Sequence, residues 1–167
     1  GLVVPQFMVD DLLRTGGDKA VADMLNTPAT NDRTRSGGYY PLHYAAQNAH
    51  TEMVELLIEN GADPNTAKNN GASPLMCAVF SCGAHTGTGM FPHGSFGTEE
   101  DYVACVRVLL KHPRFDPEAN DRGDHTGAGP DAANSPVWCA VGQPWGSGPE
   151  EAENDKLLPI LRLLLAR

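Results

Sequence analysis

Four residues in the middle of the chain carry side chains that zinc favours: Cys77, Cys82, His85 and His93. Thiolate and imidazole are preferred donors, and four of them close a tetrahedral site. Such a site would staple a stretch that has no core of its own. The spacing Cys-x4-Cys-x2-His-x7-His matches no familiar zinc pattern, and Cys77 falls at a helical position where small residues pack. The reading without a metal is therefore preferred. His43 is a second candidate, as a base or a ligand, but neither a nucleophile nor a carboxylate lies at a telling offset from it. The glycines of Gly83-Ala84-His85-Thr86-Gly87-Thr88-Gly89 invite a phosphate-loop reading. A P-loop needs Gly-Lys-Ser/Thr opening a helix after a strand, and here no lysine follows and no strand precedes. Of the acid clusters, Glu99-Glu100-Asp101 precedes a helix and suits its N-terminus through the helix dipole. The acids at 121–131 lack the twelfth-position glutamate of an EF-hand loop, and a third cluster runs from Glu150 to Asp155. No catalytic residue, metal or cofactor is expected.

The elements that hold these residues are clearest between Tyr40 and Asp63. Pro41 suits a first helical position, because the N–H it lacks would be orphaned there anyway. Leu42, Ala45 and Ala46 follow at helical spacing, with small residues where a neighbour must come close. Ala49-His50-Thr51 makes a tight turn, and Met53, Val54, Leu56, Leu57 and Ile58 form a second apolar stripe. Gly61 closes it, as a left-handed cap would. Neither helix can bury its face alone, so the unit needs near-copies on both sides.

The stretch resembles an ankyrin repeat. The T-P-L-H-x-A-A opening of that family corresponds to Tyr40–Ala46, and its second-helix run ending in G-A-D corresponds to Ala49–Asp63. Such repeats run about 33 residues. Tyr40 departs from the family, which prefers a threonine whose hydroxyl bonds to the histidine. The resemblance implies an all-α solenoid of helix-turn-helix units with short β-hairpin fingers. It also implies a structural histidine at 43, bonding between adjacent fingers.

Four units are expected along one domain spanning 1–167. The first, 1–32, carries Phe7, Met8, Leu12 and Leu13 on one helix and Val21, Ala22, Met24 and Leu25 on the next. Asp10 and Asp11 there suit a terminal repeat with one exposed face. The second unit is 33–66. The third, 67–119, opens with Ser73-Pro74-Leu75-Met76-Cys77-Ala78-Val79, is interrupted by an insertion at 80–98, and resumes near Glu99. The fourth, 120–167, opens with Ser135-Pro136-Val137-Trp138-Cys139-Ala140-Val141 and holds insertions at 122–134 and 142–154. Its last helix, with Leu158, Ile160, Leu161 and Leu163–Leu165, lacks a polar capping face, so more chain is expected to cover it.

Composition limits the partners. Twelve Lys and Arg face 21 Asp and Glu, a net charge of −9, which argues against nucleic acid. No apolar run is long enough to span a bilayer. Gly1-Leu2-Val3-Val4-Pro5 has no basic n-region, so no signal peptide is expected, and the chain reads as an excised piece of something longer. Scattered cysteines among apolar neighbours fit a reducing compartment, cytoplasm or nucleus, better than a disulfide framework.

The resemblance implies a protein-interaction module that takes a peptide or protein on its concave face, lined by finger tips and first helices. By position in the repeat, those residues are Arg33, Arg35, Ser36, Tyr39, Tyr44, Gln47, Asn48, Lys68, Asn69, Asn70, Ala72 and Phe80. Tyr39, Tyr44 and Phe80 are the expected anchors, since aromatic side chains dominate interface energetics. Trp145, in a Gly/Pro-rich loop, is either pinned to the body or offered to a partner. The alternatives are a regulatory or targeting segment of a larger multidomain enzyme or channel and, less favoured, a metal-stapled loop domain.

Overall fold

The computed structural model describes residues 17–28, 37–69, 71–84, 97–116, 136, 140 and 157–166. They form six helices of useful length: α1 (Gly17–Leu25), α2 (Pro41–Gln47), α3 (Thr51–Glu59), α4 (Pro74–Ala84), α5 (Glu99–Lys111) and α6 (Leu158–Leu165). The helices pair and stack as a solenoid requires. α2 packs on α3 and α4 on α5, while α2 also lies against α4, α3 against α5, and α5 against α6. The expected all-α repeat architecture is thus the one observed.

The apolar stripes explain the stacking. Leu42, Ala45 and Ala46 of α2, Val54, Leu57 and Ile58 of α3, Leu75, Ala78 and Val79 of α4, and Cys105, Val106 and Leu109 of α5 are buried in one continuous core. Each fully buried leucine, isoleucine or valine contributes about 1.5–3 kcal/mol relative to exposure. Alanines at 45, 46 and 78 let α2 and α4 approach closely, and all three are buried.

The two helix ends of the second unit share one geometry. At the end of α3, Gly61 N–H donates to Ile58 O at 3.1 Å and Ala62 N–H to Leu57 O at 2.9 Å. Gly61 sits at φ 98°, so this is a Schellman cap. At the end of α2, Ala49 N–H donates to Ala46 O and His50 N–H to Ala45 O, at 3.2 and 3.0 Å. Here the left-handed position is filled by Ala49, at φ 54°, where glycine is usual.

Two features depart from expectation. The stretch from Phe80 was expected to open a loop, but α4 continues helically to Ala84. Ser81 and Cys82 are buried, and the Ser81 side chain hydrogen-bonds Tyr102 of α5, which gives the extra turn a packing partner. The finger between Asp63 and Gly71 was expected as a β-hairpin, yet no strand forms among the described residues. Among the described residues it closes through turn bonds, Thr66 N–H to Asp63 O, Lys68 N–H to Ala72 O and Gly71 N–H to Lys68 O, at 3.4, 3.1 and 2.8 Å. That is a turn, too short for a paired ladder.

α5 starts on a side-chain cap. Thr98 Oγ1 accepts from Asp101 N–H at 3.3 Å, and the Asp101 carboxylate accepts from Thr98 N–H at 2.7 Å. The Thr98 N–H and the Thr98 hydroxyl, which donates to the same carboxylate at 2.8 Å, hold the Asp101 carboxyl below the usual range. The first unit's expected leading helix, with Phe7 to Leu13, lies outside the described residues, as do most of 117–156. Of the fourth unit's opening, Pro136 and Ala140 are described, and both are buried.

Candidate functional site

The expected concave face is built on the second unit and the finger that follows it. Tyr39 precedes α2, and Tyr44 stands one turn into it. Their rings stack with centroids 4.7 Å apart and planes at 28°. Lys68, on the next finger, donates from Nζ to the Tyr39 phenol oxygen at 3.0 Å. The same ammonium lies 4.3 Å from the Tyr39 ring centre, a cation–π distance. Tyr44 is 46% exposed, one of few large hydrophobic side chains so open among the described residues. The sequence reading named these three residues singly, and the structure brings them together.

Beneath this surface lies His43, fully buried. Its Nδ1 faces the Tyr40 N–H at 3.4 Å, so Nε2 carries the proton and donates to the Ala72 carbonyl at 2.9 Å. Burial pushes its pKa down to about 4, and nearby Lys68 adds to this while the Ala72 bond opposes it. With both nitrogens engaged and the ring neutral, His43 acts as a strut between α2 and the next finger. The Tyr40 ring rests against His43, with centroids 5.6 Å apart. In the third unit, Met76 N–H donates to Ser73 Oγ at 3.2 Å, while Met76 Sδ receives Ser73 N–H at 3.5 Å. Met76 thus takes over the acceptor role that His43 Nδ1 plays one unit earlier.

The remaining expected residues divide into three groups. Asn69 is exposed at the finger tip, and its N–H donates to Gly37 O at 3.0 Å, tying two successive fingers. Gln47, Ala72 and Phe80 are half-buried. The Gln47 carbonyl receives the Tyr102 phenol at 3.0 Å, and the Ala72 carbonyl receives His43. Asn48 folds its amide back onto Tyr44 O at 2.7 Å, capping α2. Arg33, Arg35, Ser36, Asn70 and Trp145 lie outside the described residues.

Cys77 and Cys82 are both buried as free thiols. Burial pushes the Cys77 thiol up to about 11, against a smaller opposing pull from Lys68. His85 and His93 lie outside the described residues.

Sequence reasoning missed the side-chain amides that join successive units. Asn26 donates from Nδ2 to Gly61 O at 2.9 Å and accepts Asp63 N–H at 2.8 Å. Asn65 donates to Arg114 O at 2.7 Å and accepts Asp116 N–H at 2.8 Å. Arg114 in turn caps the end of α3, donating to Ile58 O and Ala62 O at 3.2 and 3.1 Å. The available signal was the shared Asp-Pro at 63–64 and 116–117, whose aspartate N–H is the group bound both times.

The model described as ankyrin repeats (three copies) matches residues 8–88. The chain is similar to the 2-5A-dependent ribonuclease of Homo sapiens, 43% identical over 51 residues, which cover 30% of this chain and 7% of that protein. It is also similar to the ankyrin repeat, SAM and basic leucine zipper domain-containing protein 1 of Atelerix albiventris, at 31% over 98 residues, covering 59% of this chain and 18% of that protein. The Mus musculus protein of that name is 30% identical over 98 residues, with the same shares. The chain thus spans less than a fifth of the length of these relatives. No described helix is long and apolar enough to cross a membrane. Stacked helix pairs, the His43 strut and these matches agree: residues 8–88 of the chain carry ankyrin repeats.

Proposed function

We propose that this chain binds a peptide or protein partner on the face formed by its finger tips and first helices. Ankyrin repeats are in general protein–protein interaction modules and typically non-catalytic. The observation that supports this particular face is the Tyr39–Tyr44 stack, with Lys68 beside it and Tyr44 46% exposed. An exposed, prestacked ring loses little conformational freedom on binding, and aromatic side chains are enriched among residues that dominate interface energy. A partner protein captured by the wild-type chain is expected to be lost with Tyr44→Ala and with Arg35→Glu. Circular dichroism is expected to show both variants folded, because removing the stacked ring costs only about 1 kcal/mol. Capture unchanged in both variants would exclude this face.

A second reading is that the chain is a regulatory or targeting segment of a larger multidomain protein. Its support is the share of the relatives that is matched, 7% to 18%. The ribonuclease activity in one relative's name is not carried over by a match to 7% of that protein. Sequence flanking residues 1 and 167 in the source transcript tests this directly. We propose a reducing compartment, cytoplasm or nucleus, a reading supported by the buried free thiols Cys77, Cys82 and Cys105 among the described residues.

A further inference from the structure

The last turn of α3 is held from both sides. Asn26, the residue after α1, spreads its Nδ2 between Ala22 O at 2.8 Å and Gly61 O at 2.9 Å. Its Oδ1 accepts Asp63 N–H at 2.8 Å. From the other flank Arg114, just past the end of α5, spreads its Nη2 between Ile58 O at 3.2 Å and Ala62 O at 3.1 Å. The two sets of bonds meet on a single peptide group. The carbonyl of Ala62 and the N–H of Asp63 belong to one amide plane. The first unit holds its N–H end, and the third unit holds its oxygen end.

That plane is stiff, because resonance resists any twist about the C–N bond. Little slack exists on the side of the first unit, where a Cβ added at Gly61 would stand 2.8 Å from the Ala22 Cβ. Donation at one end and acceptance at the other also polarise the same amide, so each bond strengthens its opposite. Among the described residues, no hydrogen bond runs directly between α1 and α5.

We infer that the Ala62–Asp63 peptide is a crossbar that couples the first unit to the third while the second stays folded. In a simple stack each unit answers only to its immediate neighbours. Here, loss of the Arg114 bond frees the Ala62 oxygen, lets the plane tilt, and loosens the Asp63 N–H from Asn26. The first unit is then held less firmly, although no bond joins Arg114 to it. The converse also holds, because a coupling between two sites is reciprocal. A protein that immobilised α1 would tighten the end of α5, and the reverse.

Amide hydrogen exchange on the whole chain, read residue by residue, tests this. With Arg114→Met, the amide of Asp63 and those of Val21 to Leu25 are expected to exchange about fivefold faster or more. With Asn26→Ala, the amides of Leu109 to Lys111 are expected to do likewise. Thr98→Ala removes the cap at the opposite end of α5 and leaves the crossbar intact, so α1 is expected to exchange at the wild-type rate. Wild-type exchange in α1 with Arg114→Met overturns the inference. So does acceleration of α1 by Thr98→Ala to the same degree, or equal acceleration at every amide of the chain. Should Arg114→Met fail to fold, the Asn26→Ala arm stands alone, and wild-type exchange from Leu109 to Lys111 overturns the inference there.

Discussion

His43 Nε2 donates to the carbonyl oxygen of Ala72 at 2.9 Å, across 29 residues of chain. The bond joins the first helix of one unit to the finger leading into the next. Because the imidazole is fully buried and its pKa is pushed down to about 4, it is neutral in the folded chain. Unfolded, a histidine titrates near 6.5. Between those values the unfolded chain binds the extra proton and the folded chain does not.

His43 should therefore impose an acid limit on stability. Its contribution is complete above about pH 6.5 and is lost as pH falls toward 4, a loss on the order of 3 kcal/mol. Urea midpoints measured from pH 7.5 to 4 are expected to fall across that window. His43→Gln is expected to lower the midpoint at pH 7.5 and to flatten the fall. A His43→Gln profile parallel to the wild type would remove this histidine as the cause.

Gly38 precedes the tyrosine pair at φ 79°, and a side chain there would be forced into the neighbouring finger. An added Cβ would stand 2.4 Å from Asn69 Oδ1 and 2.9 Å from Asn69 N. A main-chain atom cannot swing away as a flexible side chain does. Gly38→Ala combines this clash with the left-handed backbone penalty, and we expect destabilisation of about 2–3 kcal/mol. Asn69→Ala is expected to recover part of that loss, since it clears the side-chain atoms but not the backbone nitrogen. The check is chemical denaturation of the two single variants and the double.

The asparagine ties should show a unit-specific signature. Asn26→Ala removes the bonds to Gly61 and Asp63 and is expected to cost about 1–3 kcal/mol. Hydrogen exchange is expected to speed up most in α1, which is held to the second unit by that side chain. Asn65→Ala removes the bonds to Arg114 and Asp116, and exchange is expected to speed up near the end of α5. Equal acceleration everywhere in both variants would show that the stack opens only as a whole.

Much of this fold was legible because α2 and α3 are bounded by residues with one conformational meaning, Pro41 at the start and Gly61 at the stop. The apolar stripe of α5 was equally plain from Tyr102 to Leu110. The extra turn of α4 was not, because Phe80, Ser81 and Cys82 show no helical stripe before a glycine. Ser81 and Cys82 lie against Tyr102, a residue about twenty positions on, and that distant contact supports the extra turn. Tyr40 suggested a weakened link to His43, yet the backbone N–H still reaches the ring and the phenol packs beside it. The face was legible as a set of positions. Its stacking and the bond from Lys68 depend on how two fingers meet, which no single repeat specifies.

Asn26 and Asn65 both grip the main chain of the unit that follows, a carbonyl and the N–H two residues later. In the unit that follows, the bonded partners of both amides are main-chain atoms, while Asn65 also donates to the Asp63 carboxylate of its own unit at 3.1 Å. The joint is thus a generic coupling, indifferent to the lettering of the module it receives. A copy duplicated or transplanted into the array would seat on it without any matching change in the asparagine, leaving evolution free to vary the outward residues while the hinge of the assembly stays constant.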